Sequence, residues 1–379
     1  MRFLFATSAS FAAIAAAAVT IAVPASAETA QARPDARYST FAPTSNTNPN
    51  TIDYDVWNEA VQNIVVSMGP SLRETAGRPP ASYGTRRQYG HTSRYRLEGT
   101  RVAFSFLDDT IRSNIADYRQ NLQAIPGKVD LQSLSRNEQL AFWINLHNVA
   151  MVEKIAQEWP VRQPREMKVD GVALDDAKFI MVEGMALSPR DIRENIVYAN
   201  WRNPMVLYGF WRGDIGGPSI QRRAYTGENV SDLLSRNARE FVNSLRGTER
   251  RGSTLQVSTF YEEAAPFFFP NFEADVRSHI AQYAQEDVTK ILAETSKTEA
   301  VIKELDIADL AGGSREPSFG YIETAEGRAQ SFRIPRAMGA LLAQREEKFR
   351  RAIKEGRTGT VTFSELKLPG DEEQTDQIE

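Results

Sequence analysis

Phe142-Trp143-Ile144-Asn145-Leu146-His147-Asn148 is apolar enough for a core, yet it carries two amides and one of the chain's three histidines. Upstream, Ser135-Arg136-Asn137-Glu138 has the form of a capping box, in which the Ser oxygen takes the backbone N–H near Glu138 and the Glu reaches back. Downstream, Pro160 biases Trp159 away from helical geometry, so the pattern predicts one helix from the cap to Trp159. On a wheel of about 100° per residue, Leu140, Ile144 and Met151 fall on one side with His147 among them, and Phe142, Val149 and Val152 on the other. A helix that is apolar all round is a buried one. Asn145 and Asn148 share a face, and an unpaired buried amide costs about 1–3 kcal/mol. The favoured reading gives both amides to backbone groups of neighbouring elements; the alternative has them contact a ligand.

Outward from this helix the chain reads as α+β, mainly helical with a small buried sheet. Val56, Ala60, Ile64 and Met68 recur at helical spacing until Gly69-Pro70. Gly77 to Glu98 holds Pro79-Pro80, Gly84, Gly90 and five arginines and reads as a surface loop, with His91 exposed in it. Arg101 to Phe104 suggests a short strand, and Ile111 to Leu122 a helix ending at Pro126-Gly127. Ser188 as cap, Pro189 in the first position and Asp191 three after the cap open a second helix. Met205-Val206-Leu207-Tyr208-Gly209-Phe210-Trp211 is short and continuously apolar, which predicts a strand buried on both faces. Val230 to Leu245 is a helix stopped by Gly247, and Leu255 to Phe260 alternates like a half-covered strand. Phe272 to Tyr283 reads as an amphipathic helix with His279 exposed, and two charge-rich helices are expected over 286–305 and 335–355.

The 379 residues are 41% hydrophobic and 25% charged, an ordinary globular balance. Residues 1–27 read as an export signal: Arg2, an apolar stretch from Phe11 to Val23, and Ala25-Ser26-Ala27 as cleavage site. The expected location is therefore the periplasm or the exterior, after cleavage near Ala27. Losing Arg2 takes the formal charge from -4 to -5, which suggests no nucleic-acid partner. The apolar stretch is shorter than the roughly 20 residues of a membrane span, and no other segment approaches that length. The remaining divisions are a flexible leader over 28–50, a main domain over 51–285, a helical extension over 286–366 and an acidic tail over 367–379.

Asn137-Glu138-Gln139-Leu140-Ala141-Phe142-Trp143-Ile144-Asn145-Leu146-His147-Asn148, Leu187-Ser188-Pro189-Arg190-Asp191-Ile192, Trp201-Arg202-Asn203-Pro204, and Gly216-Gly217-Pro218 ahead of Arg223-Ala224-Tyr225-Thr226 resemble, in order and spacing, the domain-of-unknown-function family 547. The likeness spans 53 to 285 and is clearest from 130 to 245. The family occurs in exported bacterial proteins and in plants, and the resemblance implies an α+β fold similar to papain-like or transglutaminase-like cysteine hydrolases. Typical members read Asp-Ile-Glu-His, Asp-Pro-Arg-Ile-His and Cys-Pro where this chain has Asp191-Ile192-Arg193-Glu194, Asn203-Pro204-Met205-Val206-Leu207 and Gly217-Pro218. Arg193, Leu207 and Gly217 thus stand where the family's candidate Glu, His and Cys would be.

With zero cysteines there is no thiol nucleophile, thiolate metal site or disulfide. Three scattered histidines give no zinc spacing, Asp108-Asp109 and Asp175-Asp176 lack the alternation of a calcium loop, and Gly213, Gly216 and Gly217 do not form a phosphate loop. No cofactor or metal is expected. Arg212-Gly213-Asp214 spells an adhesion tripeptide that chance supplies often. Ser219 is the hydroxyl nearest the missing sulfur and His147 the only histidine in an interior segment, although Gly217-Pro218-Ser219 is not a nucleophile elbow. The expected activity is non-catalytic binding of a polar or acidic ligand, or of an envelope component. The candidate residues are Asn145, His147 and Asn148 together with Arg212, Asp214, Gly217, Ser219 and Arg222, the absent side chain at Gly217 leaving a recess. The alternative is a hydrolase or acyl transferase with Ser219 or Glu194 as reacting group.

Overall fold

The structure, a computed structural model, describes residues 35–44, 48–77, 88–323 and 331–357. The expected leader peptide, Arg78, Arg86, Arg87 and the acidic tail lie outside the described residues. The chain is α+β. Helix α1 (Asp55–Ile64) runs into β1 (Val65–Ser67), which pairs antiparallel with β2 (Thr100–Val102). Helix α2 (Asp109–Ala124) packs on α3 (Arg136–Glu158), tied to it by the ion pair of Arg119 with Glu153. Two small hairpins follow, β3 (Lys168–Val169) with β4 (Val172–Ala173) and β5 (Ile180–Val182) with β6 (Met185–Leu187). A π-helical segment, Asp191–Tyr198, and a 3-10 helix, Pro204–Gly209, lead to α4 (Val230–Val242). Strands β7 (Thr248–Arg251) and β8 (Thr254–Ser258) form a hairpin. Helices α5 (Thr259–Phe268), α6 (Phe272–Ala281) and α7 (Glu286–Glu294) then return the chain to β9 (Lys297–Ile302), which lies parallel to β8. The hairpin β10 (Phe319–Glu323) with β11 (Ser331–Pro335) and helix α8 (Arg336–Lys354) complete the described order.

The core is built round α3, where every residue from Glu138 to Glu153 is buried. Ser135 Oγ accepts the Glu138 N–H at 3.2 Å, half of the expected capping box. The other half is used differently: the Glu138 carboxylate accepts the N–H groups of Ile52 (3.0 Å) and Gly227 (2.8 Å). One buried acid therefore clasps two distant segments onto the start of α3. The Ser188 start is a full reciprocal pair, with Asp191 N–H on Ser188 Oγ (3.0 Å) and Ser188 N–H on Asp191 Oδ2 (2.9 Å).

Several expectations are corrected. Met205–Trp211 is buried as expected from Val206 on but is not a strand: Asn203 Oδ1 accepts the Met205 N–H, and Pro204 supplies the first turn of a 3-10 helix. A short apolar run has no period that separates strand from buried helix, and the Asn-Pro start signal decides it. In the described part of the expected flexible leader, Tyr38 and Phe41 are core residues; the Tyr38 hydroxyl donates to Asp191 Oδ1 at 2.6 Å and the Phe41 ring meets Trp143 edge-on. Helix α1 turns Trp57, Val61 and Ile64 inward and leaves Val56 64% exposed, because burying the indole outweighs burying Val56. The segment before β2 is no surface loop: Ser93, Tyr95, Arg96 and Glu98 are buried, His91 is partly buried, and the wholly enclosed Arg101 guanidinium donates to the carbonyls of Tyr95, Arg96, Glu98 and Thr100. His279 is buried, with its ring against Tyr208. The region after 286 is not purely helical, since β9 completes the three-stranded sheet through β8. No helix among the described residues is long and apolar enough to cross a membrane.

Candidate functional site

Three of the candidate residues sit on α3, and their bonding is specific. Asn145 Nδ2 donates to the carbonyl of Tyr225 (2.7 Å) while Oδ1 accepts the Tyr225 N–H (3.1 Å), so the amide pairs with one residue's backbone at both ends. Asn148 Nδ2 donates to the carbonyl of Gly209 (2.9 Å) and Oδ1 accepts the Trp211 N–H (3.0 Å). These bonds fasten the 3-10 helix and the loop before α4 to the central helix.

His147 is fully buried between Asn148 and Arg193. A guanidinium can only donate, so Nε2 accepts from Arg193 (3.1 Å) and Nδ1 carries the proton it gives to Asn148 Oδ1 (3.1 Å). Burial, reinforced by the Arg193 charge, pushes the imidazole down to about 3, so the ring is neutral at ordinary pH. Arg193 in turn makes a two-pronged pair with Asp175 (2.7 and 2.6 Å). Burial alone would raise the Asp175 carboxyl, yet the Arg193 charge and hydrogen bonds hold it far below the carboxylate range. Arg193, the residue in place of the family's Glu, is therefore a structural cation.

Asp214 anchors a second set of groups. Its Oδ1 accepts the Gly217 N–H (2.8 Å), and its Oδ2 pairs with Arg165 (2.5 Å). Arg165 also reaches Glu263 (2.8 Å), and Glu263 pairs with the buried Arg212, whose guanidinium lies over the Phe260 ring. The adhesion-like tripeptide is thus buried and ion-paired. At Gly217, where a recess is expected, a Cβ would stand 2.9 Å from Asp214 Oδ1, so the Asp214 carboxylate borders the position. Arg222 lies apart, with one nitrogen on the carbonyl of Gln62 (3.0 Å).

Ser219 belongs to a third set that the sequence did not suggest. Its hydroxyl donates to Glu240 Oε2 (2.9 Å) and accepts from Arg246 (3.0 Å), and Arg246 forks onto both Glu240 oxygens (2.7 and 2.6 Å). Burial would raise Glu240, but the Arg246 charge and bonds keep it below the usual range. A carboxylate held ionised by a guanidinium is a weak base toward a serine. His147 serves Arg193 and Asn148, so the Ser219 and His147 pairing is not formed. Gly217, Ser219, Asp214, Arg246, Arg101 and Trp211 border about 150 Å³ of interstitial space, none of it wide enough for a water molecule. Leu207, at the family's His position, is fully buried, and Glu194 is taken up by Arg190 (3.1 Å). Among the described residues no three His, Cys, Asp or Glu side chains gather as a metal would require. The pairs Arg193 with Asp175 and Arg246 with Glu240 escaped sequence reading because charged residues at such separations look solvated.

These networks define an α+β domain in which a buried helix carrying two backbone-capping asparagines packs beside a glycine-rich turn. Residues 131–242 match the family model described as protein of unknown function, DUF547. No curated protein and no solved structure matches the chain.

Proposed function

We propose that this protein is an exported, non-catalytic member of its family, a hydrolase-like scaffold that acts by binding. Its arrangement is further proposed to resemble that of papain-like or transglutaminase-like cysteine hydrolases, with α3 beside the turn at Gly213–Gly217 as the shared element. The observation that carries the non-catalytic reading is the fate of the reacting groups: Arg246 holds the carboxylate next to Ser219, and Arg193 and Asn148 occupy both nitrogens of His147. The only base that the serine hydroxyl meets here is Glu240, which Arg246 holds ionised and weakly basic, and nucleophilic catalysis requires a stronger one. Because the space beside Gly217 and Ser219 is too narrow for a water molecule, the partner class we propose is an envelope polypeptide in preference to a small acidic ligand.

The specific observation on the other side is the 2.9 Å contact of Ser219 with Glu240, which would suit a hydrolase or acyl transferase if the Arg246 pair opened. A panel of acyl esters, peptides and glycans, followed by both product formation and thermal shift, tests the two readings. The expected result is no turnover, with any stabilisation coming from binding alone. Turnover abolished in Ser219→Ala or Glu240→Gln would reverse the conclusion.

A further inference from the structure

Between β9 and β10 runs an irregular segment, Glu304–Gly313, threaded between two walls that are not otherwise paired with each other. On one side is β2: Val102 N–H donates to the Ala308 carbonyl (2.8 Å), and Leu310 N–H donates to the Val102 carbonyl (2.9 Å). On the other is the turn after Trp211: Ala308 N–H donates to the Gly213 carbonyl (2.7 Å), Ile215 N–H to the Asp306 carbonyl (2.9 Å) and Gly216 N–H to the Glu304 carbonyl (3.1 Å). Ile307 N–H adds a bond to the Arg162 carbonyl (2.7 Å). The pairing is parallel at Val102 with Asp309 and antiparallel at Asp214 with Ile307, the geometry of one strand laid into a slot.

Glycine makes the approach feasible. A Cβ on Gly216 would fall on the Glu304 carbonyl oxygen, and one on Gly313 on the Val161 carbonyl oxygen. The glycines of the turn, which fit no phosphate loop, thus serve close passage of another backbone. Ile307, Ala308, Leu310 and Ala311 are buried, so the slot takes aliphatic and small side chains. The closed state is imperfectly satisfied: Arg101 Nε, Trp211 Nε1 and Asp309 Oδ1 are buried without a partner in hydrogen-bonding geometry, two of them on the walls and one on the segment itself. Asp309 Oδ2 accepts from Trp159 Nε1 (3.0 Å) and Gly313 N–H (2.8 Å), and burial outweighs these bonds and raises its carboxyl to about 6. Unsatisfied buried polar groups on both sides of one contact weaken the closed arrangement relative to a hydrated, opened one.

We propose that Glu304–Gly313 is a displaceable strap occupying a main-chain recognition slot between β2 and Gly213–Gly216, whose external ligand class is an extended, aliphatic-rich polypeptide. This names the partner class for the binding reading above and rests on it. Main-chain bonds along an extended segment supply affinity, while the positions of Ile307 and Leu310 supply selectivity.

Two measurements on the full chain test it. In the wild-type protein, hydrogen exchange of the Ile307, Ala308 and Leu310 amides is expected to be at least tenfold faster than that of the slowest α3 amides; equal rates would remove displaceability. In Gly313→Val, which loosens one end of the strap, a synthetic peptide copying residues 303–315 is expected to raise Tm by several degrees, with a smaller rise in the wild type, whose own strap competes, and no effect from a scrambled peptide. If Gly313→Val does not fold alone, recovery on refolding with the peptide, repeated with the milder Gly313→Ala, is the readout. Equal response to copied and scrambled peptides, or no recovery in either variant, overturns the proposal. Turnover in the ester panel would instead sink the non-catalytic reading and leave the slot assignment standing.

Discussion

Asn148 has no spare end: its amide nitrogen serves Gly209, and its oxygen serves both Trp211 and His147. Asn148→Ala strands two buried N–H groups, of Trp211 and His147, and the buried Gly209 carbonyl, and we expect a loss of about 2–3 kcal/mol in denaturant titration. Asn148→Asp should lose nearly as much, because a carboxylate cannot donate to the Gly209 carbonyl. Ser219→Ala removes one hydroxyl while leaving the Arg246 and Glu240 fork intact, so about 1 kcal/mol is expected, by the same titration. At this scale the sequence was legible where a residue contradicts its surroundings. Two amides inside an apolar helix announce partners, and Asn145 and Asn148 have them in backbone groups. Arg193, Glu240 and Arg246 announced nothing, since a charge in an amphipathic stretch normally faces water and only the fold buries these.

Elements were legible through their boundaries more than through their interiors. Ser135, Ser188 and Pro160 mark helix ends correctly because capping and ring geometry are local effects. The identity of 204–209 was hidden because burial on all sides erases periodicity, and β9 was hidden because its strand character comes from pairing with β8, some 40 positions earlier in the chain. The same 3-10 helix gives an element-level prediction. A Cβ on Gly209 would stand 2.7 Å from Ile144 Cδ1 and 3.1 Å from Leu234 Cδ2, so the helix packs on α3 and α4 at backbone distance. Gly209→Ala should cost about 1–3 kcal/mol by overpacking, seen as a lower denaturant midpoint with unchanged slope.

For the whole molecule, the three histidines act together. Burial lowers His91 and His147 to about 3 and His279 to about 4, so each binds a proton on unfolding at any pH between these values and about 6.5. The unfolded state then holds more protons, and stability falls as pH falls through that window. Asp309 works oppositely: its raised folded value means its contribution is present at low pH and is lost as pH rises through about 6. Between about pH 6 and 4 the net uptake is roughly two protons, a slope of about 3 kcal/mol per pH unit. Urea midpoints from pH 7 to 4 check this, and the slope should drop by about half in a His279→Gln variant that still folds. The same scale shows why the family segment cannot stand alone. Residues 131–242 rely on Tyr38 and Phe41, on β2, and on the segment from 304 to 313, so a fragment cut to those bounds should be largely unfolded by circular dichroism.

The clasp made by Glu138 fixes an order of events during synthesis. One of its two backbone partners is Gly227, 89 positions downstream, so a nascent chain leaving the ribosome carries an exposed α3, with its core residues uncovered, until that residue has emerged. Chains stalled before Gly227 are expected to be held by chaperones, and chains released just beyond it to be the first that can close round the central helix.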